Sequence, residues 1–278
     1  MRKFSLTLLL VLTVILVAAC GTNANNGSSP AASPSQSADT GSGEQSSLDA
    51  IKASGVLRIG TEGTYAPFTY HDASGKLTGF DVEIAEEVAK RLGVKAEFVE
   101  TQWDGIFAGM DAKRFDAIFN EVSITDERKV KYDFSDPYIV SKAVLIVKSD
   151  NNTIQSFADL KGKKAAQSLT SNLADIAREN GAEIVSTEGF NQAIDLLASG
   201  RVDATVNDGL SYLDLKKQKP DAPIKKVDEQ ANGSQSAAAF LKGNDELVKA
   251  VNDALASMKS DGTYLKISEK YFGEDVSQ

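Results

Sequence analysis

An arginine five residues after a serine, Ser123-Ile124-Thr125-Asp126-Glu127-Arg128, is a fitting start for holding a carboxylate. A guanidinium offers a planar fork of donors and a hydroxyl adds another. Further along, Ser168-Leu169-Thr170-Ser171 leads into a predicted helix, where free amides and hydroxyls favour an anion. Asn207-Asp208 supplies an acceptor for an ammonium. Glu62, Asn120 and Glu121 add polar groups, and Tyr65, Phe68 and Trp103 add apolar cover. A fixed cation, hydroxyl-bearing helix starts, carboxylates and aromatics suit a free α-amino acid. Each residue also has an ordinary reading. Arg128 could pair with Asp126, Asp133 or Asp136 at the surface; Asp208 could cap the helix near Gly209; Trp103 could be core. Phe68 could pack a loop behind Pro67, and Glu62 could face solvent.

What would bring these residues together is a series of short apolar runs alternating with amphipathic helices. The first series predicts strands at 56–60, 95–100 and 117–122 and helices at 80–92 and 103–112. Gly93 stops the first helix. The second predicts strands at 163–168, 184–185 and 204–206 and helices at 173–180 and 190–199. Such alternation means parallel α/β sheets, and two series mean two lobes. The candidates lie at or just beyond predicted strand ends, with Glu62, Tyr65 and Phe68 after the first strand and Asn120, Glu121 and Ser123 at the end of the third, and ligands of open α/β sheets bind beyond the carboxyl ends of the strands. The segments 141–148 and 236–242 are apolar and strand-like, and read as two crossings forming a hinge. Residues 48–142 with 241–278 are expected to form one lobe, and 143–240 the other with the hinge strands. Helices at 245–258 and 264–271 should pack back on the first lobe.

The chain of 278 residues carries a net charge of -9, which argues against a nucleic-acid surface. Residues 1–19 have a basic start, an apolar run from Phe4 to Ala19 and small residues before Cys20. This reads as an export signal, and its end resembles a bacterial lipobox with Cys20 as the lipidated residue. Loss of Arg2 and Lys3 would take the charge to -11. Residues 21–47 hold no large apolar side chain and read as a tether, so that 20–47 joins the lipidated Cys to the folded body. Cys20 is the only cysteine, so no internal disulfide is expected. The one histidine, His71, lies in a predicted turn, against His-based catalysis or a His-rich metal site; no cofactor or metal is expected.

Five segments carry a resemblance. GTEGTYAPF (60–68), GFDVEI (79–84), WDGI (103–106), SITDER (123–128) and FSDPY (134–138) closely resemble the extracytoplasmic solute-binding proteins of polar amino-acid ABC importers. The likeness covers nearly all of 48–272. It implies a two-lobed, type II periplasmic-binding-protein fold, one amino acid in the cleft, closure, and delivery to permease subunits in the membrane by a monomer outside the cytoplasm. On that pattern Ser123 and Arg128 match the carboxylate positions of the first lobe, Thr170 and Ser171 those of the second, and Asp208 the ammonium acceptor. The runs 62–77 and 100–147 look most like cystine-binding members. Glu62 then matches a position that meets a second cation, which cystine or a basic amino acid supplies. The alternatives are a binder of arginine, glutamine or cysteine, a dehydratase of the same fold with Glu62, Glu121 or Asp208 as general acid, and a sensor read by a signalling partner.

Overall fold

The computed structural model describes residues 46–278. The expected leader at 1–19, Cys20 and nearly all of the tether lie outside the described residues. Ser46 caps the first helix, α1 (Ser47–Ser54), accepting from Asp49 N. The chain continues through β1 (Val56–Thr61), β2 (Thr64–Tyr65), β3 (Thr69–His71), β4 (Leu77–Thr78), α2 (Phe80–Leu92), β5 (Lys95–Glu100), α3 (Trp103–Asp111), β6 (Ala117–Ile118), α4 (Asp126–Lys131), β7 (Tyr132–Phe134) and β8 (Ile139–Ser141). Then come β9 (Ala143–Lys148), β10 (Lys164–Gln167), α5 (Asn172–Glu179), β11 (Glu183–Ser186), α6 (Phe190–Ala198), β12 (Ala204–Asp208), α7 (Gly209–Gln218), β13 (Ile224–Glu229), β14 (Ser234–Ser236), β15 (Ala239–Leu241), α8 (Asp245–Ser260) and α9 (Thr263–Phe272).

The α2 helix shows how closely the sequence dictates an element. Asp81 and Glu83 sit in its first turn and Lys90 and Arg91 in its last, with the sense of the helix dipole. Phe80, Ile84, Ala85, Val88 and Ala89 recur at helical spacing and are fully buried. Gly93 closes the helix at φ 78°, its amide bonding back to Ala89 O and Lys90 O. Gly79 opens it at φ 134°, and a Cβ there would collide with the Phe68 carbonyl.

Two five-stranded sheets result, ordered β5-β1-β6-β15-β7 and β11-β10-β12-β9-β13. In each, four strands share one direction and one interior strand runs against them: β15 between β6 and β7, β9 between β12 and β13. The sheets are therefore mixed, where the alternation predicted parallel ones. The reason is the crossing chain, which enters each lobe from the other and must run against its neighbours.

The crossings also lie a little earlier in the chain than the apolar runs suggested. Residues 143–148 form a central strand of the second sheet, and 239–241 belong to the first. The crossing strands are β8 and β14, an antiparallel pair with Ser234 opposite Ser141 and Ser236 opposite Ile139. The predicted strand at 117–122 shortens to β6 for the same reason. Beyond it the chain turns to run beside the crossing, with Ile124 N donating to Gln235 O and Ala237 N to Val122 O. The final helices cover the first lobe, where Tyr264, Tyr271 and Phe272 surround the Phe80 ring.

The lobes are drawn together by side chains from both. Asp104, at the start of α3, accepts from Leu169 N at 3.1 Å, Thr170 N at 3.0 Å and Thr170 Oγ1 at 2.8 Å. Tyr65 OH donates to Asn207 Oδ1 at 3.0 Å, Asn172 Nδ2 to Ser123 Oγ at 3.2 Å, and Asn191 Nδ2 to Thr64 O at 3.2 Å. The Tyr65 and Phe190 rings meet edge-on at 6.5 Å. This is a closed arrangement, and Asp104 is its most heavily bonded clasp.

Two outcomes test this account. Gly79→Ala should destabilise the protein by about 3 kcal/mol in chemical denaturation, because a strained φ and a backbone collision act together; a loss below about 1 kcal/mol would contradict it. Asp104→Ala removes bonds made only across the cleft. It should raise the radius of gyration in small-angle scattering, and an unchanged scattering profile would refute the clasp.

Candidate functional site

The closed lobes enclose a narrow cavity of about 50 Å³. Its first-lobe wall comes from the ends of β1 and β6 and the start of α3. Its second-lobe wall comes from the ends of β10, β11 and β12 and the starts of α5 and α6. Of the sequence candidates, Glu62, Tyr65, Trp103, Asn120, Glu121 and Ser171 line it.

Glu62 is buried, and its Oε2 accepts from Asn120 Nδ2 at 2.7 Å. Asn120 Oδ1 in turn accepts from Glu62 N at 2.7 Å, so the two residues brace each other. Burial pushes the Glu62 carboxyl up to about 7, against the bonds from Asn120 and the Trp103 amide. Glu121 stands at φ 51°, rare for a residue with a side chain. Its amide donates to Asp81 Oδ2 at 2.7 Å and its Oε1 accepts from Ser236 Oγ at 2.8 Å. Burial, followed by the nearby Asp208 charge, pushes the Glu121 carboxyl well above the usual range. Burial raises Asp208 as well.

Five candidates stand elsewhere. Phe68 is fully buried behind Tyr65, 5.3 Å away, and against Phe272, 5.8 Å away; it supports the wall without facing the cavity. Asp208 caps α7, accepting from Leu210 N at 2.8 Å, and also accepts from Ser141 Oγ. The neighbouring Asn207 reaches the cavity in its place. Thr170 is exposed and committed to Asp104. It lines a second depression with Arg128, Asn172 and Asp175. Asn172 is common to both spaces, and Ser123 touches the partition by accepting from it.

Arg128 forms no ion pair with Asp126, Asp133 or Asp136. Asp126 pairs with Lys129 and Asp133 with Lys242. Arg128 is 9% exposed, and its guanidinium donates to Ser123 O at 2.8 Å and lies 5.1 Å from the Trp103 ring centre and 5.3 Å from that of Phe107. Burial lowers its pKa to about 10. Thr125 does cap the helix, accepting from Arg128 N. That helix has only six residues, so Arg128 belongs to its first and last turns alike. A buried cation without a carboxylate at ion-pair distance among the described residues can receive an anionic ligand group.

The sequence reading passed over Gln167, Asn172, Thr187, Gly189 and Phe190, which also line the cavity. Thr187 was within reach of the same rule that found the others, since it follows β11. Asn172 and Phe190 open helices, where a side chain's direction depends on how the helix is docked.

Comparison with known proteins agrees with this geometry. Residues 57–274 match the model of bacterial extracellular solute-binding proteins, family 3. The chain is 48% identical to the L-cystine-binding protein TcyA of Bacillus subtilis (strain 168), over 100% of both chains. An ancestral arginine-binding protein bound to glutamine is 43% identical, with a TM-score of 0.76 over 79% of this chain and 99% of that one. The L-cystine solute receptor of Neisseria gonorrhoeae, in its unliganded open conformation, is 46% identical over 84% and 99%, yet its TM-score is 0.56. The lower score at similar identity accords with the closed lobes here. By sequence, by fold and by the placement of its cleft, the chain belongs to the bacterial extracellular solute-binding proteins of family 3.

Proposed function

We propose that this protein captures a free amino acid, L-cystine in preference to others, between its lobes and presents it to the permease subunits of an ABC importer. The observation that carries the reading is Arg128, a buried guanidinium held by aromatic rings with only a carbonyl as its acceptor among the described residues. An α-carboxylate is the group it lacks. Ser123, Asn172 and the amides at the start of α5, capped by Ser171, would complete the carboxylate's bonds, and Thr170 would stay at the seam. Glu121, beside Asp208, would face the α-ammonium. Binding would displace the Asn172–Ser123 contact, joining the two spaces that Asn172 divides.

Cystine is favoured over arginine or glutamine by its similar relatives and by Glu62, which stands apart from Glu121 as a second acidic pole. The relatives it matches are named as binding proteins, which supports a binder over a dehydratase. Cys20 remains our proposed lipid anchor, on its sequence context alone; no helix among the described residues is long and apolar enough to cross a membrane.

Mass spectrometry of ligand released on denaturation should find cystine, and calorimetry with a panel of amino acids should rank it first. Failure of every amino acid to bind would end the proposal. Arg128→Ala should weaken binding by about a hundredfold or more, since a desolvated carboxylate would be left unpaired; wild-type affinity would remove Arg128 from the site. Affinity should also depend on pH. Glu62, near 7 without ligand, must ionise to meet an ammonium, and that ammonium lowers its pKa. A proton therefore leaves on binding near neutrality. Affinity should rise by up to about tenfold per pH unit below 7 and level off above it. Calorimetry in buffers of different ionisation enthalpy reads that proton directly, and none released at pH 6.5 would contradict the sign.

A further inference from the structure

Two buried donors in the cavity wall lack any partner. Trp103 Nε1, from the first lobe, and Thr187 Oγ1, from the second, are shielded from solvent and make no hydrogen bond among the described residues. Both residues line the cavity, at 8% and 4% exposure. Buried donors are nearly always satisfied, so an unpartnered pair in one cavity calls for an acceptor. The two sides also meet around a helix start. Thr187 stands two residues ahead of Gly189, which opens α6 with no side-chain cap. Gly189, Phe190 and Ala193 bring that end of α6 to the cavity. The first amides of a helix have no partner within it and favour negative charge.

Beside this corner stands a carboxylate. A Cβ on Gly189 would lie 3.8 Å from Glu62 Oε1, and Glu62 also accepts from the Trp103 amide. So the corner pairs donors for an anion with an acceptor for a cation. The corner around Arg128 does the same, with Ser123 and α5 for the anion and Glu121 for the cation. The amide cap of α6 and the cap of α5 are separate helices on the second lobe, so neither corner borrows the other's donors. A ligand with one amino-acid head and a donor-only side chain, such as arginine, would fill one corner and leave Trp103 Nε1 and Thr187 Oγ1 without an acceptor, and glutamine would offer them only one uncharged amide oxygen.

We infer that Trp103 Nε1, Thr187 Oγ1 and the opening amides of α6 hold the distal carboxylate of a ligand with two α-amino-acid heads, beside the distal ammonium at Glu62. This rests on the reading of the protein as a cystine binder, and adds the residues that take the second carboxylate. Trp103 then serves twice: its ring face covers Arg128 at the proximal head while its N–H reaches the distal one.

Calorimetry on the wild-type protein in thiol-free buffer, with three ligands, separates the parts. L-cystine carries both distal groups, the cysteine–cysteamine disulfide lacks only the distal carboxylate, and the disulfide of cysteine with 3-mercaptopropionate lacks only the distal ammonium. Cystine should bind about ten- to a hundredfold more tightly than either. Thr187→Val and Trp103→Phe should each shrink the advantage of cystine over the cysteamine disulfide by about tenfold, with thermal unfolding confirming that the variants fold. Equal wild-type affinity for cystine and the cysteamine disulfide overturns the distal subsite while leaving an amino-acid binder intact. An undiminished advantage in both folded variants removes Trp103 and Thr187 from it. If no amino acid binds at all, the proposed function fails, and this inference with it.

Discussion

Unpaired charge shut inside the cleft governs the rest of this structure. Arg128 is desolvated enough to lower its pKa, yet among the described residues it has only a carbonyl to bond and two aromatic faces to lie against. Across the same cleft Glu62, Glu121 and Asp208 are raised by burial toward their neutral forms. Such groups cost folding energy without partners. A zwitterion supplies partners of both signs at once, so the stability of the closed form and recognition of the ligand become one problem.

The crossing strands are part of that electrostatic design. Ser141 ends β8 and donates to Asp208, while Ser236 ends β14 and donates to Glu121. Each strand that joins the lobes thus holds one of two neighbouring acids that repel each other. The Asp81 carboxylate, taking the Glu121 amide and the Tyr138 hydroxyl at 2.5 Å, ties the same corner to the first turn of α2. Movement at the crossing and charge in the cleft therefore act on the same atoms. The outer seam works differently. Asp104 makes its bonds to Leu169 and Thr170 at the rim, where they form only when the lobes meet. Charge in the interior selects the ligand, and neutral donors at the rim report closure.

The sequence was most legible where an element's own residues settle it. The α2 and β5 ranges follow from apolar period and a terminal glycine, since burial of one face is decided locally. It was least legible where the chain passes between lobes. An apolar strand reads the same whether it crosses or lies in a sheet, so 143–148 looked like a connection although it is central to the second sheet. The single aromatic pair Tyr65 and Phe68 makes the same point within the site. Three residues apart in one loop, one reaches Asn207 across the cleft and the other packs on Phe272.

Sequence alone determined the two α/β series, the strand ends from which the cleft is built, and the residue types that suit an amino acid. Those follow from local periodicity and from the rule that sites gather beyond strand ends. Only the tertiary structure decided which of those side chains share a space. It moved Thr170 to the seam and Asp208 to a helix cap, and it drew Thr187 and Gly189 toward Glu62. Residues more than a hundred positions apart meet there because two separately folded lobes close on each other, and no local pattern encodes the angle at which they do so.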